Sequence, residues 1–207
     1  MTSANTRYVV KPESGPPGGH RGTAAGDRLI VNPLSGERIT IPPGGADGDV
    51  LAWELLLAPG GRVPSGHAHP RQEERFTVVE GRIRFRVGWR RVLAGPGDTV
   101  VVPPGTAHHF ANPGPAPARV AVRTIPALGM ADLLETAAEL ARQQQADGRA
   151  LPRLGELALF MRDFEAEVAA PVLPGLVRLV ARLVATVTGP RRPGARYRRL
   201  RDGNGAG

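Results

Sequence analysis

Cysteine is missing from this 207-residue chain. No disulfide can staple it and no thiolate can ligate a metal, so any metal must be held by His, Asp or Glu. Lysine is nearly missing too: Lys11 stands alone beside the arginines. No stretch reaches the roughly 18 uncharged apolar residues needed to span a bilayer. The opening residues, "MTSANTRYVVKPESGPPGG", lack the apolar run of a signal peptide. Together these absences lead to the expectation of a soluble, cytoplasmic protein without a transmembrane segment.

Positive charge is present, but it is localised. The net charge is +8, and six arginines fall between Arg191 and Arg201 in "RRPGARYRRLR". Counting Asp202, the last seventeen residues carry +5 of that charge. This basic tail, 190–207, has Tyr197 as its one aromatic and ends in glycines. It reads as a solvated, flexible segment, and nucleic acid is not an expected partner. Residues 1–26 are rich in Gly, Pro and small polar residues without periodicity, which predicts a disordered leader. His20 lies within it and carries no expected role.

Between these ends, short β-type runs alternate with turn signals. "RLIVN" and "ERITI" flank "PLSG", a hairpin connection, and "VLAWELLL", "RFTVVE", "RIRFRV", "TVVV", "HHFA" and "ARVAVRTI" follow. Strands spaced this regularly predict a mainly β domain, a sandwich or small barrel, over 27–126. In "RIRFRV" alternation puts Arg82, Arg84 and Arg86 on one face and Ile83, Phe85 and Val87 on the other. Beyond Pro126 the period changes to that of amphipathic helices over 127–189. One is expected in "MADLLETAAELARQQQ" along Leu133, Ala137 and Leu140. A second is expected through "LPRLGELALFMRDFEAEVA" along Leu154, Leu157, Met161, Phe164 and Val168. A third begins near Pro174, with Leu176, Val177, Val180, Leu183, Val184 and Val187 on its apolar face.

The stretch "HAHPRQEERF" carries the chemistry. Residues two apart in a strand share a face, so His67 and His69 project into one space. Glu74 shares a face with Phe76 and Val78, and His108 shares one with Phe110 and Asn112. Three imidazoles and one carboxylate around one interior point suit a divalent first-row metal: Fe, Mn, Ni, Co or Zn. Alternation turns His109 away from His108 and Glu73 away from Glu74. Trp53 fits a cavity lining and a packed strand equally well. The inward positions that can be named, Phe76, Val78, Ile83, Phe85 and Phe110, include no second acid or lysine, and they suit an apolar or aromatic small molecule.

These residues resemble the cupins. The first cupin motif, G-x5-HxH-x3-4-E-x6-G, is matched by Gly61, His67, His69, Glu74 and Gly81. The second, G-x5-PxG-x2-H-x3-N, is matched by Gly97, Pro103, Gly105, His108 and Asn112. The resemblance implies an antiparallel jelly-roll β-barrel with a metal bound by His67, His69, Glu74 and His108, followed here by C-terminal α-helices. It also implies pairing of barrels into a homodimer.

Glu74 can act as ligand and as general base for a substrate hydroxyl. Phe76, Val78, Phe85 and Phe110 are the expected substrate-pocket residues. The resulting expectation is a metal-dependent enzyme on a small organic substrate, with a dioxygenase similar to the quercetinase-like cupins foremost. Its rivals are a non-catalytic, metal-assisted sensor or ligand-binding module, and a cupin isomerase or cyclase of secondary metabolism. A DNA-binding regulator is disfavoured, because the expected helices carry Glu135, Glu139, Glu156, Asp163, Glu165 and Glu167.

Overall fold

The structure, a computed structural model, describes residues 9–10, 24–63 and 66–169. The third expected helix, the basic tail and most of the leader, His20 included, lie outside them. The strands run in chain order as β1 (Val9–Val10), β2 (Arg28–Asn32), β3 (Glu37–Ile41), β4 (Ala46–Asp47), β5 (Val50–Leu57) and β6 (Glu73–Glu80). They continue as β7 (Ile83–Val87), β8 (Arg90–Ala94), β9 (Thr99–Val102), β10 (His108–Ala111) and β11 (Ala118–Ile125). Two helices follow, α1 (Met130–Ala146) and α2 (Leu154–Asp163).

All the paired strands are antiparallel. One sheet has the order β1-β9-β6-β11-β5-β3-β2, with β4 added on β5, and the other is β10-β7-β8. The chain is therefore mainly β with helices after the strands, as its patterning predicts. The expected barrel is not closed among the described residues. Its two sheets share one core, and isolated bridges tie the connection between β5 and β6 to β10, Arg62 with Ala111 and His67 with His108.

Strict alternation builds that core. Strand β5 buries Leu51, Trp53, Leu55 and Leu57 on one face, and β6 buries Glu74, Phe76 and Val78. β7 buries Ile83, Phe85 and Val87 and leaves Arg84 outside. Phe76, Phe85 and Phe110 meet in the middle with ring centroids 5.3–5.7 Å apart, in tilted pairs. Burying each such ring stabilises the fold by about 1.5–3 kcal/mol. Strand β8 carries no clean alternation, because its first two residues, Arg90 and Arg91, are both exposed. The β7–β8 hairpin turns in two residues, Gly88 at φ 56° and Trp89.

The helices depart from their expected faces. Helix α1 covers the predicted span but buries Met130, Leu133, Thr136, Ala138 and Ala141, leaving Ala137 and Leu140 at the edge of the contact. Helix α2 stops at Asp163 instead of continuing to Val168, and Leu154 on the expected apolar stripe is 78% exposed. Its buried residues are Ala158, Leu159 and Phe160. Tertiary contacts override helical periodicity here. Phe164 and Val168 drop into the main core, and Ala169 pairs with Ala68 as a two-residue β-bridge. Among the described residues no helix is long and apolar enough to cross a membrane.

Among the four motif glycines, Gly81 and Gly97 hold positive φ at turns between strands, 78° and 85°. Only Gly81 also faces a close neighbour: a Cβ there would stand 2.9 Å from the Cα and Cβ of Ala118 on β11. Gly81→Ala is expected to cost more stability than Gly97→Ala, by about 1–3 kcal/mol in urea unfolding. Equal losses would show that the approach to β11 does not matter.

Candidate metal centre

Segment 66–69, strand β6 and strand β10 deliver the motif side chains to one point. The main chain of His67 exchanges hydrogen bonds with that of His108, N to O at 3.1 and 2.8 Å, which draws the first motif onto β10. The turn before β10 braces the next residue, since the Gly105 amide donates to the His69 carbonyl at 2.8 Å. Gly105 has φ 72° there, a conformation costly for other residues. Asn112 closes the far end of β10. It is buried, and its side-chain amide donates to the carbonyls of Leu57, Ala58 and Ala116.

The imidazoles of His67, His69 and His108 each present a ring nitrogen within 4.8 Å of the others. Glu74 Oε2 lies 3.2 Å from His69 Nε2 and 3.1 Å from His108 Nε2. Glu74 is 3% exposed and His108 1%. His108 Nε2, although 3.1 Å from Glu74 Oε2, is not aligned for a hydrogen bond with it or with any other described residue. An unsatisfied buried ring nitrogen beside a buried carboxylate calls for a third party. Two ligands at right angles about 2.1 Å from one ion stand roughly 3.0 Å apart, close to the separations around Glu74 Oε2. The donor set therefore fits a divalent first-row ion.

The far nitrogens are fixed as metal-binding histidines require. His69 Nδ1–H donates to the Glu167 carbonyl at 2.5 Å, and His108 Nδ1–H makes a longer contact, 3.3 Å, with the Thr106 carbonyl. Each contact keeps a proton on Nδ1, so that Nε2 faces Glu74, as a donor towards the carboxylate while no ion is bound and as a lone pair for an ion when one is. Burial pushes Glu74 up, but the charge of His69 and the contacts of His108 and His69 more than offset it. The carboxyl is held well below its ordinary value of 4.5. Burial likewise lowers His69, yet Glu74 and the Glu167 carbonyl outweigh it and the ring is raised above 6.5.

The remaining expected residues fall as follows. Phe76, Val78, Phe85 and Phe110 are all buried in the core, with the Phe76 ring 6.1 Å from that of His108. They form a packed floor beside the imidazoles. His109 lies on the outer face of β10, opposite Arg86, where partial burial and then the Arg86 charge lower its pKa. Trp53 is buried, and its indole N–H donates to Thr124 Oγ1 at 3.1 Å. The same hydroxyl stands 3.5 Å from Glu74 Oε1.

Two residues escaped the sequence reading. Glu37 is a second acid on the inward face of β3, in line with buried Ile39 and Ile41. Burial raises its pKa, a 2.6 Å hydrogen bond from the Ser35 hydroxyl opposes the rise, and the charge of Glu74 adds to it. Alternation in "ERITI" was the signal that could have found it. Glu167, counted among the acids of the expected helices, is instead buried beyond the end of α2 and accepts a hydrogen bond from His69 Nδ1–H on its carbonyl. No local signal marks it, because the contact spans 98 residues.

A family model described as a cupin domain matches residues 53–123. No curated protein matches the chain. Among solved structures, a sugar phosphate isomerase of the cupin superfamily from Silicibacter pomeroyi is 25% identical with a TM-score of 0.41. That match covers 44% of this chain and 60% of the isomerase, so the chain spans less than two thirds of that protein's length. The nucleoside dehydratase Pac13 of Streptomyces is 20% identical with a TM-score of 0.44, over 55% of this chain and 88% of Pac13. An RmlC-like cupin from Shewanella frigidimarina is 20% identical with a TM-score of 0.44, over 53% and 93% of the two chains.

Glu37 provides a test in the metal-free protein. Its raised pKa means that the folded state keeps a proton the unfolded chain has lost, so its contribution to stability falls as pH rises above about 4.5. Glu37→Gln should therefore raise the melting temperature at pH 7.5 and lose that advantage near pH 4. An equal effect at both pH values would mean that the carboxyl is not desolvated. Residues 53–123, with the three clustered histidines and Glu74 among them, match a cupin domain.

Proposed function

We propose that the chain is a metal-dependent enzyme that acts on a small organic molecule held through its oxygen atoms. The observation that carries this reading is the clustering of His67, His69 and His108, with the buried carboxylate of Glu74 3.1–3.2 Å from the Nε2 atoms of His69 and His108. His67, His69, Glu74 and His108 would hold the ion. A divalent first-row ion there supplies Lewis-acid polarisation of a substrate oxygen and, if it is iron, manganese, nickel or cobalt, access to oxygen chemistry.

The protein's own contribution is orientation and proton handling. Glu74 is ionised well into the acidic range, which suits it as a ligand, and it would serve as a base for a substrate hydroxyl only when it swings away from His69 and His108. Phe76, with Val78, Phe85 and Phe110 behind it, excludes water from that side of the site and favours an apolar or aromatic substrate face. This floor is what supports the dioxygenase-like reading. Glu37 favours a second reading, an isomerase or cyclase in which one carboxyl removes a proton while another returns it. Its pKa is raised while that of Glu74 is lowered, the separation expected of an acid and a base sharing one interior.

Metal content by mass spectrometry, on protein purified without a metal-affinity column, tests the shared core of both readings. About one equivalent of a first-row metal is expected in the parent, with loss in His67→Ala and His108→Ala. No metal in the parent after anaerobic reconstitution would refute the proposal. Turnover of flavonol-like or catechol-like compounds that stops without O2 would select the dioxygenase. Turnover that persists anaerobically and falls in Glu37→Gln would select proton transfer.

A further inference from the structure

Resting on the metal reading above, we infer that Glu167 is a positioning residue of the metal centre, and that segment 164–169 is built into the site from outside the cupin domain.

The segment leaves α2 and crosses the first motif. Ala169 and Ala68 exchange main-chain hydrogen bonds at 2.8 and 3.0 Å, so the strand carrying both histidines gains a neighbour on that side. Phe164 and Val168 anchor the segment in the core, and a tight turn draws it together as the amides of Glu167 and Val168 both donate to the Phe164 carbonyl. That turn aims the Glu167 carbonyl at His69 Nδ1, 2.5 Å away. The Glu167 carboxylate points the other way and accepts the Gly129 amide at 3.0 Å, just ahead of α1.

Each end of this residue is sterically specified. A Cβ on Gly129 would stand 2.9 Å from Glu167 Oε1, so the chain entering α1 closes down on the carboxylate. On the other side His69 is confined by the Gly105 amide on its carbonyl. The imidazole is thus clamped with Nδ1 protonated and Nε2 presented to Glu74. In metal-binding histidines this outer hydrogen bond sets ring orientation and donor strength. Here it comes from a residue 44 positions beyond the end of the matched cupin domain. Gln72 ties the same region together, its side-chain amide donating to the carbonyls of Pro126 and Ala127.

A main-chain carbonyl cannot be deleted, so the test releases the side chain that holds it. Co2+ affinity and 15N–1H spectra of the imidazoles are compared in full-length parent, Glu167→Ala, Glu167→Gln and Val92→Ala. The last is a core variant on β8, destabilised without touching the segment. The parent without metal should show a protected His69 Nδ1–H resonance. Glu167→Ala should lose that resonance and bind Co2+ about 10-fold more weakly. Glu167→Gln keeps an oxygen for the Gly129 amide and should stay within about 3-fold of the parent. Val92→Ala should match the parent in both readouts. A Glu167→Ala protein that keeps the resonance and the affinity would overturn the inference, as would an equal loss in Val92→Ala. A parent that takes up no Co2+ would instead overturn the metal reading, a result distinct from either of these.

Discussion

A carboxylate buried beside a phenyl ring has to be compensated, and the architecture of this protein follows from how Glu74 is. An unpaired charge at that depth would cost several kcal/mol. Two imidazole nitrogens stand 3.1–3.2 Å from one of its oxygens and the Thr124 hydroxyl near the other. Those partners come from three separated parts of the chain, so their convergence requires the register of both sheets to be right. A one-residue slip of β6 would send Glu74 outward and bring Glu73 in.

The centre is supported asymmetrically. On the domain side, β-structure does the work: β10 aligns His108, and the turn at Gly105 holds the His69 carbonyl. On the other side the support comes from the C-terminal extension, through Glu167 and Ala169. Helix α1 and the segment after α2 are linked to each other through the Gly129–Glu167 hydrogen bond. The extension and segment 66–69 are therefore mechanically coupled. A disturbance at the start of α1 has a short covalent and hydrogen-bonded route to His69.

Much of this could be read from residue order. Period-two patterning located β2, β3, β5 and the faces of β6, β7 and β10, because a half-buried strand must alternate. It also sorted His108 from His109 and Glu74 from Glu73, and both pairs lie as alternation requires. The helical part was less legible. Periodicity in "LPRLGELALFMRDFEAEVA" carried the expected helix through Val168, whereas the chain turns after Asp163 to bury Phe164 and pair Ala169. Leu154 and Phe164 look alike to a periodicity argument; only the position of the core tells them apart.

What the sequence by itself determined is which candidate donors share a face. Spacings of two residues fix side-chain direction within a strand, so His67 with His69, and Glu74 with Phe76, needed no fold to be grouped. The tertiary structure decided what surrounds them. Glu37 became a second interior acid only because β3 pairs with β5 and continues the inward face. Glu167 became a partner of His69 only because a non-helical turn brought a main-chain carbonyl across 98 residues. A carbonyl carries no side-chain identity, so nothing in the residue order could announce it.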